Sequence, residues 1–183
     1  MSVEIQVCLA VPTGHSVVDA PIGRWWLEWC SRGLLAVSYT DARPGGDEFP
    51  NWLNEAWSAF WSGKNYNLTL ITPRPVSPFF IKVYEQLARV LQGDTMSYRD
   101  LARLCGCPGG ARAVGQAMRM NPWPLFLPCH RIVSSTGALA GYIGKKHVEI
   151  KAQLLEYEQR MRGLSEAISS CVSGAMSRLG VFK

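Results

Sequence analysis

The chain has 183 residues, 48% of them apolar and 18% charged, a balance that supports a folded core and excludes an intrinsically disordered polymer. Its net charge of +5 suits a polyanionic partner without demanding one. No apolar run has the length of a membrane helix and residues 1–6 carry no basic leader, so neither a membrane partner nor a signal peptide is expected.

Residues 1–76 read as a small mixed α/β unit. Two strands are expected at 22–29 and 34–39, on either side of a turn at Ser31-Arg32-Gly33. A polar loop rich in Gly and Pro covers 41–46. From 49 to 61, Leu53, Ala56, Trp57 and Phe60 recur at helical spacing, so an amphipathic helix is expected. A short strand follows at 68–71. The proline-rich stretch 72–78 breaks regular structure and is the linker candidate.

Residues 77–162 read as helix-rich. Ser77 and Pro78 make an N-cap and first-turn pair. Phe80, Val83, Tyr84, Leu87, Val90 and Leu91 form one apolar face, with Gly93 as the expected stop. Ser97-Tyr98-Arg99-Asp100 resembles a capping box that opens a short helix through Leu101, Leu104 and Cys105. A glycine-rich turn at 106–110 leads to a second short helix, ending near Asn121-Pro122. Two short helices around such a turn read as helix-turn-helix. A last helix is expected at 148–161. Residues 163–183, small and rich in Ser and Gly, are expected as a flexible tail. The expected fold class is therefore α/β: a mixed α/β N-terminal domain at 1–76, then a helical C-terminal domain at 77–162 with a helix-turn-helix motif.

Two segments carry the chemistry. In the second short helix Arg112 stands at the start and Arg119 near the end, with the small residues Ala113, Gly115 and Ala117 between them. Small side chains let a helix backbone approach DNA closely; the alternative is a helical hairpin packed in a core with two solvated arginines. Ser97 and Tyr98 offer backbone amides and a phenol for phosphate. The second segment is Pro128-Cys129-His130-Arg131-Ile132. A thiolate is the reactive form of cysteine, and a nearby imidazole is the usual means of making it at neutral pH. Adjacent side chains on a strand point to opposite faces, so a Cys129–His130 partnership needs a turn or a bridging water. A carboxylate behind His130 would orient it, and Glu158 on the last helix is a candidate provided the fold brings it there.

The other cysteines, Cys8, Cys30, Cys105, Cys107 and Cys171, read as structural or incidental. Cys105 and Cys107 lack a partner pair at zinc spacing, and Cys8, His15 and Cys30 lack a fourth ligand, so no metal is expected. The default location is cytoplasmic (nucleoid-associated in a bacterium), where these thiols stay reduced.

With these residues in view, the chain resembles the O6-alkylguanine-DNA alkyltransferases. The likeness rests on Pro128–Ile132, the helix from Arg112 to Arg119, Asn121-Pro122, Ser97-Tyr98, the stretch 137–142, and Lys151 to Glu158. It is specific over 78–160 and weak over 1–76, where only Pro21-Ile22-Gly23 and Gly33-Leu34-Leu35-Ala36 contribute. The resemblance implies a single irreversible transfer of an alkyl group from guanine O6 to Cys129. It implies His130 as a water-mediated base, Glu158 as its carboxylate partner, Tyr98 as a donor to the guanine ring nitrogen, and Arg112 as the residue that fills the gap left by a flipped base. Asn121 would hold the active-site turn. Arg119, Ser97, Ala113 and Gly115 would meet DNA. Pro128, Met118, Tyr142, Ile143 and Ile132 would line the pocket, with the Cys129 and Ile132 carbonyls accepting from the exocyclic amine.

No cofactor is implied. The implied partner is alkylated double-stranded DNA, bound through the minor groove by a monomer. The run Ile143-Gly144-Lys145-Lys146 departs from the family's glycine pattern, which bears on the range of alkyl groups accepted. Competing expectations are an alkyltransferase-like lesion binder without transfer, a simple DNA-binding regulator, and a thiol hydrolase.

Overall fold

The structure, a computed structural model, describes residues 2–72, 75–139, 141–143 and 147–178, with the backbone alone from 171. Its first part is a six-stranded sheet. Strands β1 (Ser2–Val7), β2 (Gly14–Asp19), β3 (Arg24–Cys30), β4 (Gly33–Tyr39) and β5 (Gly45–Gly46) precede helix α1 (Asn51–Trp61), and β6 (Asn67–Thr72) completes it. The order across the sheet is β1-β6-β4-β3-β2-β5. β1 and β4 each pair parallel to β6, and β3 pairs antiparallel with β2 and β4. Alternation in β3 buries Trp25, Leu27 and Trp29. Onto this apolar face α1 packs Leu53, Ala56, Phe60 and Trp61. Each fully buried large side chain contributes roughly 1.5–3 kcal/mol. β1, β2 and β5 add to the three expected strands, which are β3, β4 and β6. Gly33 opens β4 where a Cβ would stand 2.4 Å from the Thr69 carbonyl oxygen, so only glycine lets β4 approach β6 here.

The second part is helical. α2 (Pro78–Leu87) starts at Ser77, whose Oγ accepts from the Phe80 amide at 3.2 Å. It ends at Leu87, short of the expected stop: Gly93, at φ 80°, turns the chain several residues later. A two-residue strand β7 (Met96–Ser97) leads into α3 (Tyr98–Leu104), capped by Ser97 Oγ accepting from the Asp100 amide at 3.0 Å. α4 (Ala111–Arg119) follows a turn. A 3-10 turn at Cys129–Arg131 runs into β8 (Ile132–Val133), which pairs parallel with β7. That short pairing fixes the turn against the start of α3.

The last helix, α5 (Val148–Arg178), corrects the expectation of a loose tail over 163–178. The first half of α5 is anchored by buried Ile150, Leu154 and Glu158. Once a helix is nucleated, adding residues costs little, and 163–178 contain no proline to stop it. An Arg162–Glu166 pair at i,i+4 supports the passage. The two parts share one core. Trp123, fully buried, donates its indole N–H to the Leu34 carbonyl at 3.1 Å, and Val37 N–H donates to the Pro122 carbonyl at 2.8 Å.

Candidate active site

The segment 123–133 is buried throughout, although it is mostly loop. Buried loop backbone needs internal partners. Asn121 supplies two: its Nδ2 donates to the Leu127 carbonyl at 2.9 Å, and its Oδ1 accepts from the Trp123 amide at 3.0 Å. Cys129 N–H donates to the Leu127 carbonyl and Arg131 N–H to the Pro128 carbonyl, winding the chain into the 3-10 turn. This turn replaces the strand geometry that would send Cys129 and His130 to opposite faces. The Cys129 side chain lies almost wholly inside, at 6% exposure.

Behind the turn, Glu158 of α5 meets two neighbours of the cysteine. Its Oε1 lies 2.8 Å from His130 Nε2. Arg131 forks onto the same carboxylate, Nε to Oε2 at 2.9 Å and Nη2 to Oε1 at 2.8 Å. The Gly93 amide adds a third donor, to Oε2 at 3.1 Å. Burial alone would raise the Glu158 pKa, but His130 and Arg131 outweigh it and bring it from 4.5 down to about 2. Burial holds the His130 imidazole below its ordinary value, against the pull of Glu158. An ionised carboxylate only accepts, so neutral His130 must carry its proton on Nε2. Nδ1 is then the bare, basic nitrogen. It is buried and has no hydrogen-bond partner among the described residues.

Cys129 is raised above the ordinary thiol value by burial, opposed by a hydrogen bond from the Asn121 side chain and by the charge of Lys151. Tyr98 is half-buried, and burial together with Cys129 raises its pKa. Pro128, Ile132 and Tyr142 are buried beside the turn, and the Tyr142 ring meets His130 edge-on at 6.1 Å between centroids. Ile143 is half-buried with φ 42°, whereas 144–146 lie outside the described residues.

On α4, Arg112, Gln116 and Arg119 are exposed while Val114 and Ala117 point into the core. Ala113, Gly115 and Met118 are half-buried. Tyr84 of α2 donates its hydroxyl to the Ala117 carbonyl at 3.1 Å, tying α4 down from inside. The Ser97 hydroxyl is committed to Asp100, 2.6 Å from Oδ2, so it serves the α3 cap. The structure thus brings together Cys129, His130, Glu158, Asn121, Tyr98 and Tyr142, and keeps the two α4 arginines on the outer surface. Sequence reasoning gave no role to Arg131, because an arginine reads as solvated until its carboxylate partner is known.

Residues 78–160 match the family described as 6-O-methylguanine DNA methyltransferase, DNA binding domain. The constitutive methylated-DNA–protein-cysteine methyltransferase of Bacillus subtilis is 41% identical over 100 residues, which span 55% of this chain and 60% of that protein. The mouse methylated-DNA–protein-cysteine methyltransferase is 34% identical over 170 residues, covering 79% of this chain and 80% of that protein. The chain belongs to the methylated-DNA–protein-cysteine methyltransferase family. The crystal structure of Mycobacterium tuberculosis OGT in complex with DNA overlays with a TM-score of 0.67 at 29% identity, covering 79% of this chain and 92% of that one. The match to the family description runs from the start of α2 to just past Glu158, so it takes in the whole site and leaves out the extension of α5.

Proposed function

We infer that this protein repairs DNA by moving the alkyl group of an O6-alkylguanine onto its own Cys129, once and irreversibly. The single observation that carries the reading is the position of Cys129, in a sealed turn backed by the buried His130–Glu158 pair and tied through Asn121 to the end of α4. The exposed α4 and the preceding α3 act as a helix-turn-helix. Small residues Ala113 and Gly115 suit close approach of α4 to a minor groove, and Arg112 fills the space of the departed base. A base inside the stack cannot reach a buried sulfur, so the lesion flips at a cost of a few kcal/mol, offset by the inserted side chain. A monomer suffices, because every residue named lies in one chain.

Nδ1 of His130 takes the Cys129 proton through a water, and Glu158 holds the resulting imidazolium. The sulfur attacks the alkyl carbon in line; the S–C bond forms as the C–O6 bond breaks, and the electron pair passes into the guanine ring. Tyr98 donates a proton to the ring nitrogen, which makes the leaving guanine neutral; the phenolate takes a proton back from solvent as the His130 imidazolium gives up the one that came from Cys129, so both groups end neutral. The thioether is stable, so each molecule acts once. A lesion binder without transfer does not need a buried thiol backed by a polarised imidazole.

The test is incubation with a duplex holding one O6-methylguanine, followed by mass spectrometry of the peptide containing Cys129. A methyl in place of one hydrogen is the expected result. Tight lesion binding with no added methyl would overturn transfer in favour of recognition alone.

A further inference from the structure

Lys151 is a buried charge to which the mechanism above assigns no task. It lies in the first turns of α5 and is fully buried, at 0% exposure. Burying an ammonium is costly unless hydrogen bonds or an opposite charge compensate it. Its Nζ donates to the carbonyl of Ile132, the residue that leaves the active-site turn. The same Nζ stands 5.9 Å from the centroid of the Tyr98 ring. One neutral acceptor and one aromatic ring only partly replace its hydration. Among the described residues no Asp or Glu forms an ion pair with it. The anionic sites of this region are already used, since Glu158 is taken by His130 and Arg131.

The surroundings of the sulfur complete the picture. Lys151 of α5 is bonded to Ile132, three residues past Cys129, and stands over the Tyr98 ring of α3; Tyr142 meets His130 edge-on, and Tyr84 of α2 is bonded to Ala117 of α4. Asn121 contributes a hydrogen bond, and His130, Arg131 and Glu158 lie behind the turn. The three phenols are neutral at physiological pH, since burial raises all of them. Lys151 therefore supplies a positive charge held between the Ile132 carbonyl, three residues past the sulfur, and the Tyr98 ring.

We propose that Lys151 is a positioning residue whose ammonium serves as the fixed counter-charge of the Cys129 thiolate. It acts through the sulfur and touches no substrate atom. The proton still leaves Cys129 through His130; Lys151 makes the anion left behind cheaper to hold inside. Its bond to the Ile132 carbonyl fixes where that charge sits. The proposal rests on Cys129 being the alkyl acceptor.

The test is the pH profile of Cys129 alkylation by iodoacetamide, read by peptide mass spectrometry without DNA. Opposite charges at close range commonly move a pKa by about 1–3 units. Lys151→Met is expected to move the midpoint up by about one unit or more and to slow methyl transfer from duplex roughly tenfold at neutral pH. Affinity for the duplex should stay unchanged. Lys151→Gln keeps a donor for Ile132 but no charge, and should show the same shift; Lys151→Arg should restore the wild-type midpoint. A folded Lys151→Met or Lys151→Gln protein with the wild-type midpoint overturns the proposal and leaves Lys151 a structural prop. Should Lys151→Met fail to fold, Lys151→Gln decides. Because the probe is iodoacetamide, this outcome is independent of whether wild-type protein takes a methyl from DNA.

Discussion

Glu158 Oε1 lies 2.8 Å from His130 Nε2, and both side chains are shut away from solvent. Arg131 closes the other side of the carboxylate, so Glu158 stays ionised and can only accept. The consequence reaches the far nitrogen of the imidazole. With Nε2 committed as donor, Nδ1 is left as an acceptor. The carboxylate acts on the reaction without touching it, by choosing the tautomer.

Glu158→Gln tests that relation. The amide is neutral and can present its NH2 to His130, favouring the wrong tautomer. The methyl-transfer rate measured in single-turnover rapid quench is expected to fall by about 10–100-fold, in the range of lost second-layer partners. Removing one member of a buried ion pair also strands Arg131, at roughly 3–5 kcal/mol, which a urea titration will report. An unchanged rate in a stably folded variant would refute the tautomer role.

Stability should fall on the acid side in two stages. The folded pKa of Glu158, about 2, is below its unfolded value of 4.5. Its contribution is therefore present above about 4.5 and is lost as pH falls toward 2, on the order of 3 kcal/mol in all. The folded pKa of His130 is also depressed, so the folded protein holds the neutral ring while the unfolded chain takes up a proton below about 6.5. Melting temperature should decline gently from pH 6.5 and more steeply below 4.5. A flat melting temperature between pH 7 and 4 would contradict a buried neutral His130.

The helices around α4 were legible because their signals are local. The Ser77-Pro78 start and the Ser97 cap lie within four residues of what they cap. Strand β1 was not. It is an edge strand with only one half-buried row, Val3 and Ile5, and its partner β6 lies far along the chain. Arg131 was missed for a related reason: its meaning depends on Glu158, on another element. Glu158 stood only as a conditional candidate behind His130, since nothing in its local pattern marks a catalytic carboxylate, and the resemblance is what gave it a role. The continuation of α5 was misread because small residues weaken amphipathic periodicity without forbidding a helix.

Asn121→Ala should damage both fold and chemistry. It leaves the fully buried Trp123 amide without its partner and the Leu127 carbonyl with the Cys129 amide as its remaining donor. The expected loss is roughly 2–4 kcal/mol in a urea titration. The same variant removes the hydrogen bond that helps Cys129 ionise, so iodoacetamide should react more slowly at neutral pH. Loss of stability with unaltered thiol reactivity would limit Asn121 to the turn.

Arg112→Ala should separate duplex from single strand. Arg112 is exposed at the start of α4, away from the core contacts of that helix, so the fold should be unaffected. If the side chain fills the gap left by a flipped base, repair of duplex slows markedly while repair of a single-stranded lesion does not. Equal losses on both substrates would point to plain phosphate attraction, which weakens with salt.

Gly115→Ala offers the sharpest division between fold and function. A Cβ at Gly115 meets nothing within 4 Å, and alanine is the better helix former. The folded protein should therefore gain up to about 1 kcal/mol in stability, seen as a higher melting temperature. If α4 lies with its small residues against a groove, the added methyl stands between backbone and DNA. Duplex affinity, measured by fluorescence anisotropy, should then drop while the reaction of Cys129 with iodoacetamide stays as it was. A variant that is more stable and binds duplex as tightly as before would remove Gly115 from the DNA surface and leave the arginines alone to define it.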